Sequence, residues 1–471
     1  MTSTAVSYDN LLATITDPDG RAIPDPATGE VVGRVRFQPV EELDAAIARA
    51  RTAQIAWAAR SDEDRVDLLL RAADAVEAAT EPLAELLSRE QGKPLNGPNA
   101  RFEVGACVSW LRATAATTLP GETVVDDETT HAELRYRPLG VVGAIGPWNW
   151  PMMITIWQIA PALRMGNTTV VKPSEYTPLS VLALVEVLNS VLPQDVLQAV
   201  AGAGDVGARL AGHPDIDKVM FTGSTRTGQA VIRSSADTVK RLTLELGGND
   251  AGIVLPDVDP QAIADDLFWG AFINTGQTCA AMKRLYVHTD VYDAVCAALV
   301  EIAANTPMGR GLHEANVLGP LQNRQQFDIV SRLVEAARAS GATLLTGGDP
   351  DRTAPGNFYP LTLVADIDND NPLVAEEQFG PALPIVRYHD VEDAITMANA
   401  LDVGLGASVW SADKATARTI AARLEAGTVW INSHGGVHPM IPFGGVKQSG
   451  YGLEFGVEGL KSVSAPQVVN G

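Results

Sequence analysis

The chain has 471 residues, too many for one hydrophobic core and enough for two sizeable domains with smaller attachments. Hydrophobic residues make up 46% and charged residues 20%, which fits a folded chain and excludes disordered and collagen-like classes. A formal net charge of −22 repels nucleic acid and acidic membrane surfaces, so an anionic ligand needs a local reversal of potential by a lysine or a helix N-terminus.

At the N-terminus, Met1–Leu11 lacks a basic stretch followed by an apolar one, so no secretory signal is expected there. No run of about 18 apolar residues argues for a membrane span. The three cysteines, Cys107, Cys279 and Cys296, are odd in number and too few for a disulfide framework, which makes a reducing cytoplasm the expected compartment. From Val40 to Arg89, apolar residues recur at helical spacing and predict an amphipathic helical opening. "ETVVDDETTHAELRYRPLG", which starts at Glu122, alternates polar and apolar residues around "DDETT" and predicts a hairpin that forms an exposed arm.

Next come short, mostly β-branched runs that close near Gly or Pro: "GVVGAIG" from Gly140, "NTTVVKP" from Asn167 and "KVMFTGS" from Lys218. With helices over Pro178–Leu192 and Asp205–Ala211 between them, they predict a parallel sheet covered on both faces, a Rossmann-like domain. Gly202, Gly204 and Gly207 in "VAGAGDVGA" match the dinucleotide spacing. No carboxylate stands near Thr222, where the ordinary fingerprint has its ribose-binding acid, so the pattern reads as a glycine loop at a helix start. A second alternating series predicts another α/β domain, with strands at "DAGIVL", "KRLYVHT", "ATLLTGG" and "GASVWS" and helices over Gln325–Ser340 and Lys414–Glu425. No fixed-period repeat occurs.

Three segments carry chemistry. Asn149 lies between Trp148 and Trp150 in a turn bounded by Pro147 and Pro151, where rigid neighbours can aim an amide at an oxyanion. Glu245 ends an apolar strand just before Gly247 and Gly248; desolvation there raises its pKa toward that of a usable general base. Cys279 follows a glycine-containing turn in "NTGQTCAAMKR". Each has an ordinary structural explanation taken alone, and for Cys107 and Cys296, in apolar helical surroundings, that of a buried inert thiol is kept. His434 and His438 are four apart in "SHGGVH", but the intervening glycines argue against the helix a metal pair needs, so no metal is expected.

Taken in order, "GPWNWP", "KPSE", "FTGSTRTG", "LELGGND", "GQTC", "EEQFGP" and "PFGGVKQSGYG" resemble the NAD(P)-dependent aldehyde dehydrogenase superfamily, and the resemblance covers nearly the whole chain. It implies an α/β fold with a Rossmann-like cofactor domain over 1–118 and 139–246 and a second α/β catalytic domain over 247–450. A small β oligomerisation arm and tail over 119–138 and 451–471 would serve a homodimer or homotetramer. It further implies that Cys279 is the nucleophile, Glu245 the base that activates water, and Asn149 an oxyanion donor beside the backbone N–H of Cys279. An aldehyde would pass through a thiohemiacetal and a thioester to the acid. Relatives that transfer the acyl group to coenzyme A usually lack the glutamate, so Glu245 favours hydrolysis. A retired structural or binding member of the fold is disfavoured by the presence of all three residues.

The same resemblance places NAD, in preference to NADP, against Ile145, Pro147, Trp148, Lys172, Ser174, Glu175, Gly223, Ser224, Leu246, Gly247, Gln326, Glu377 and Phe379. Ser224 would open a helix toward the pyrophosphate. Lys172 and Glu175 would bind ribose hydroxyls, the carboxylate repelling the extra phosphate of NADP. Glu377 and Phe379 would hold the nicotinamide ribose and ring, with Gln326 a further ribose contact. Trp150, Met153, Ile154, Trp157, Thr278 and Ala280 would form the substrate pocket, whose apolar lining without arginine suits an apolar or aromatic aldehyde. The loop of His434 and His438 would lie near the mouth of the substrate tunnel. One departure is Gln158, where the family often carries a lysine paired with a glutamate matching Glu454 in a proton path. Glutamine supplies no cation, so that path runs through water or is absent.

Overall fold

The structure, a computed structural model, describes residues 7–471; the first six residues of the segment inspected for a secretory signal lie outside the described residues. The helical opening consists of Val40–Ala58, Asp62–Ala78 and Thr80–Gln91, followed by Ala100–Ala116. Asp62–Ala78 starts where the Ser61 side chain accepts the Asp64 N–H, with three acids in its first turn, a favourable arrangement at the positive end of the helix dipole. Leu69, Val76, Leu83, Leu87 and Leu111 share one core, each contributing about 1.5–3 kcal/mol by leaving water.

The first sheet has six strands in the order Gly450–Tyr451, Arg241–Glu245, Lys218–Thr222, Val141–Ile145, Thr168–Lys172 and Leu197–Ala199. All neighbours run parallel except Gly450–Tyr451, which pairs antiparallel with Glu245 and Leu244. Every residue of its three central strands is buried, as β-branched runs require when helices cover both faces. The chain leaves Val141–Ile145 toward Thr168–Lys172 on one side and returns to Lys218–Thr222 on the other. That reversal opens a crevice at the carboxyl ends of the strands, where ligands bind in sheets of this kind.

The second sheet has seven strands in the order Thr343–Thr346, Thr362–Ala365, Ala382–Tyr388, Met282–His288, Asp250–Val254, Gly406–Trp410 and Thr428–Ile431, with only the first antiparallel. Three of these strands, Thr362–Ala365, Ala382–Tyr388 and Thr428–Ile431, lie outside those predicted from the sequence. The predicted helix over Lys414–Glu425 stops at Ala421, because Arg423 and Leu424 donate to carbonyls three residues back and tighten the chain out of α geometry.

The hairpin forms as Glu122–Asp126 against His131–Pro138, and Ser464–Asn470 adds the third antiparallel strand. All five residues of Glu122–Asp126 are exposed.

Candidate active site

A cleft of about 780 Å³ runs along the carboxyl ends of the first sheet, within the range of cofactor sites. Ile145 to Asn149 follow one strand into it, Lys172 to Tyr176 the next, Phe221 to Ser224 a third and Glu245 to Gly247 a fourth. Cys279, Gln326, Glu377 and Phe379 line it from the other part of the chain. All thirteen residues expected at the cofactor therefore face one cleft, and Cys279, Glu245 and Asn149 face it too.

Cys279 sits between the turn Ile273–Gly276 and the strand Met282–His288. Asn274 and Thr275 are left-handed, with φ of 50° and 58°, a conformation costing about 1–3 kcal/mol at each non-glycine residue. Side-chain bonds hold it: Asn274 Nδ2 donates to the Asn149 carbonyl at 2.9 Å, and Thr275 Oγ1 bonds the Gly319 carbonyl at 3.1 Å. Gly276 is obligatory, since a Cβ would stand 2.3 Å from the Gly380 carbonyl oxygen. The nucleophile turn is thus strapped to the Asn149 turn. Asn149 Nδ2 donates one N–H to the Gln277 carbonyl at 3.0 Å, which fixes the amide plane and aims the second N–H of the same group.

Burial dominates the electrostatics. It pushes the Cys279 thiol up to about 12, with Lys283 opposing and Glu245 and Asp250 reinforcing the rise. It also raises Glu245 well above the ordinary carboxylate range, helped by the neighbouring Glu454. Neither carboxylate oxygen of Glu245 has a hydrogen-bond partner among the described residues, and the residue lines the cleft, so no neighbouring donor holds it in its ionised form. Glu454 is raised by burial and partly relieved by Lys218, whose ammonium donates to Thr243 Oγ1 at 2.7 Å. Gln158 donates instead to Thr222 Oγ1 at 3.1 Å and to the Ile145 carbonyl at 3.4 Å.

The dinucleotide expected here fits the residues present. The Ser224 side chain accepts the Thr227 N–H and starts an eleven-residue helix at the cleft wall. Trp148 and Phe379 meet edge to face at 5.3 Å, an apolar wall for a ring. A Cβ at Gly247 would come within 2.6 Å of Glu377 Oε2, so only glycine leaves the carboxylate in place. Lys172 is buried and lowered by desolvation. Sequence reasoning set aside Gly204 and Gly207, yet both line the cleft, as does Arg226. Glu175, which follows a neighbouring strand, lines the cleft, whereas no carboxylate stands near Thr222.

The six expected pocket residues do not line this cleft. Trp150, Met153, Ile154, Trp157 and Ala280 are buried in the apolar cluster that Cys279 borders together with Val437, Phe443 and Phe455. Trp150 Nε1 donates to Thr278 Oγ1 at 2.9 Å, while Trp157 packs against Trp110 and Phe455. His434 is not at an open mouth: its buried ring bonds Ser408 Oγ at 2.9 Å and faces Asp250 at 3.6 Å. His438 is exposed.

Two buried cations bonded to the Asn149 and Cys279 carbonyls were not foreseen. Lys93 pairs with Glu103 at 2.6 Å and donates to the Asn149 carbonyl at 2.8 Å. Lys283 lies beneath Cys279. The available signal for Lys283 was a pair of cations, Lys283 and Arg284, inside an otherwise apolar strand.

The sequence pattern of the aldehyde dehydrogenase family matches residues 16–469. An aldehyde dehydrogenase named LUC3 from a Fusarium species is 38% identical over 446 residues, covering 94% of each chain. A phenylacetaldehyde dehydrogenase of Pseudomonas fluorescens is 39% identical over 450 residues, covering 93% of this chain and 89% of its own. Among solved structures, a variant of aldehyde dehydrogenase C from Pseudomonas syringae in complex with NAD+ and octanal superposes with a TM-score of 0.92 at 34% identity, covering 97% of this chain and 94% of that one. With its cleft, its cysteine and a match along almost its entire length, this chain belongs to the aldehyde dehydrogenase family.

Proposed function

We propose that the protein oxidises an apolar or aromatic aldehyde to the carboxylic acid with NAD, through an acyl thioester on Cys279. The observation that carries this reading is the convergence of Cys279, Glu245 and Asn149 on one cleft beside the strand ends. The Cys279 sulfur, as thiolate, attacks the aldehyde carbon, and the Asn149 amide and the Cys279 backbone N–H stabilise the oxyanion that forms. Bound along the cleft, the dinucleotide supplies the hydride acceptor. Glu245 then takes a proton from water so that hydroxide attacks the thioester, which frees the acid and restores the thiol.

Glu175 and Lys172 would hold the adenosine ribose, and the carboxylate disfavours a 2′-phosphate there. The apolar cluster around Trp150, Met153, Ile154 and Trp157 supports an apolar substrate, as do a relative named for phenylacetaldehyde and a solved structure in complex with octanal. Three free cysteines suit a reducing cytoplasm. No helix among the described residues is long and apolar enough to cross a membrane. The division into a cofactor part over 1–118 and 139–246, a catalytic part over 247–450 and an arm with tail is supported by the three largest sheets, although Gly450–Tyr451 joins the cofactor sheet. Exposed arm edges support a homodimer or homotetramer.

The test is a panel of aldehydes assayed for NADH and acid. Intact protein should form both, Cys279→Ala neither. Glu245→Gln should give a burst of NADH with slow acid release, a loss of about 100-fold or more in turnover. Undiminished oxidation by Cys279→Ala would reject the mechanism.

A further inference from the structure

Lys283 is the second residue of the strand Met282–His288, whose first six residues are buried. Its side chain is only 2% exposed. An ammonium group has three donors and no acceptor, and here it is surrounded by oxygen. Nζ lies 2.7 Å from the Cys279 carbonyl, 2.8 Å from that of Thr278 and 3.2 Å from that of Ala281. The fourth neighbour is Glu377 Oε1 at 3.4 Å, which also accepts the Gly248 N–H at 3.3 Å.

Placing an ammonium inside a sheet costs several kcal/mol unless its partners are well placed. The strand would accept an apolar residue at this position at no such cost. What the cation does instead is gather three carbonyls of one tight turn, and the middle one belongs to Cys279. Its remaining partner, Glu377, stands on the wall of the cofactor cleft, so a single side chain joins that wall to the nucleophile.

The charges around the sulfur are unequal. Glu245 and Asp250 act on it as anions, Glu454 stands behind Glu245, and His434 faces Asp250 at 3.6 Å. Lys283 is the cation that opposes them, with Glu377 as its counter-ion. Burial and both anions favour the thiol; a positive charge bonded to the carbonyl of the same residue favours the thiolate.

We propose that Lys283 is the positioning residue of the nucleophile: its ammonium folds the Cys279 turn around one point and supplies the positive field under which the sulfur ionises, releasing its proton to solvent. This rests on the assignment of Cys279 as the nucleophile.

The test uses the full-length, cofactor-free protein and iodoacetamide, with modification at Cys279 followed by peptide mass mapping across pH. In alkylation the sulfur–carbon bond forms as iodide leaves. Lys283→Gln keeps an N–H donor without charge, Lys283→Met removes both, and Lys283→Arg keeps the charge; thermal unfolding identifies which variants are folded. The Gln and Met variants should move the midpoint of Cys279 alkylation upward by about one pH unit, a rate about tenfold lower below both midpoints. Lys283→Arg should stay within about 0.3 unit of the intact protein. If Lys283→Met does not fold, Lys283→Gln carries the test alone. A wild-type midpoint in the folded uncharged variants, or an equal shift in all three, overturns the proposal. The nucleophile assignment fails separately, if fully alkylated Cys279 leaves aldehyde oxidation intact.

Discussion

Glu245 and Glu454 are two buried carboxyl groups: burial raises both, Glu454 raises Glu245 further, and Lys218 lowers Glu454. A base held above the usual carboxylate range is protonated at low pH, so hydrolysis gains as pH rises through its pKa. The cation on this pair is Lys218, from the strand Lys218–Thr222, since Gln158 spends its amide on Thr222 and Ile145. Glu454→Gln removes the like charge and leaves burial. The Glu245 pKa should therefore fall, and the acid limb of acyl-enzyme hydrolysis should move about half a unit to one unit lower. Single-turnover hydrolysis across pH measures this; an unmoved limb would mean that the two groups titrate independently. Residues of this kind were half legible. Glu245 announces itself as an acid inside an apolar strand before two glycines. Its partner Glu454 comes from more than two hundred residues away, and pairings such as that of Gly450 with Glu245 bring the segments together.

The turn bearing Asn149 is held by an element that sequence spacing does not connect to it. The helix Pro151–Arg164 has no side-chain cap of its own at Trp150. Its first free N–H groups, from Met152 and Met153, donate to Glu103 Oε1 at 2.9 and 3.1 Å. The other Glu103 oxygen takes Lys93, whose ammonium also lies 3.5 Å from the centre of the Trp150 ring. The helix Ala100–Ala116 thus supplies a carboxylate cap to its neighbour, and the cation completes it. Glu103→Ala leaves a buried ammonium and uncapped N–H groups, and should destabilise the protein by about 3–5 kcal/mol. Lys93→Met leaves the carboxylate on its N–H donors and should destabilise less, while kcat falls because the Asn149 carbonyl keeps Asn274 but loses the second of its two donors. Denaturant midpoints and steady-state rates check the order; Glu103→Ala unfolding with the wild-type midpoint would contradict it. Strands that end at Gly or Pro, such as Val141–Ile145 and Thr168–Lys172, could be read directly because hydrophobic runs and backbone punctuation are local. Lys93 could not, because a charged residue after Gly92 reads as solvated until the fold buries it against Glu103.

At the scale of the molecule, the three-stranded arm is unfinished. Val124 is 58% exposed and Val468 63% exposed, on strands at its two edges. Unpaired edges carrying β-branched residues invite another strand, while a net charge of −22 keeps most other surfaces of two copies apart. The tail strand Ser464–Asn470 is also close in sequence to the base. It follows the helix Gly456–Ser462, and Glu454 precedes that helix, bonded through its backbone to Phe443 at 2.9 and 3.1 Å. A Val124→Asp, Val468→Asp double variant should lower the solution mass by light scattering from dimer or tetramer to monomer. Its circular dichroism should be unchanged, because both side chains already face water. An intact protein that is already monomeric, or a double variant that keeps its partners, would show that the arm does not assemble the molecule.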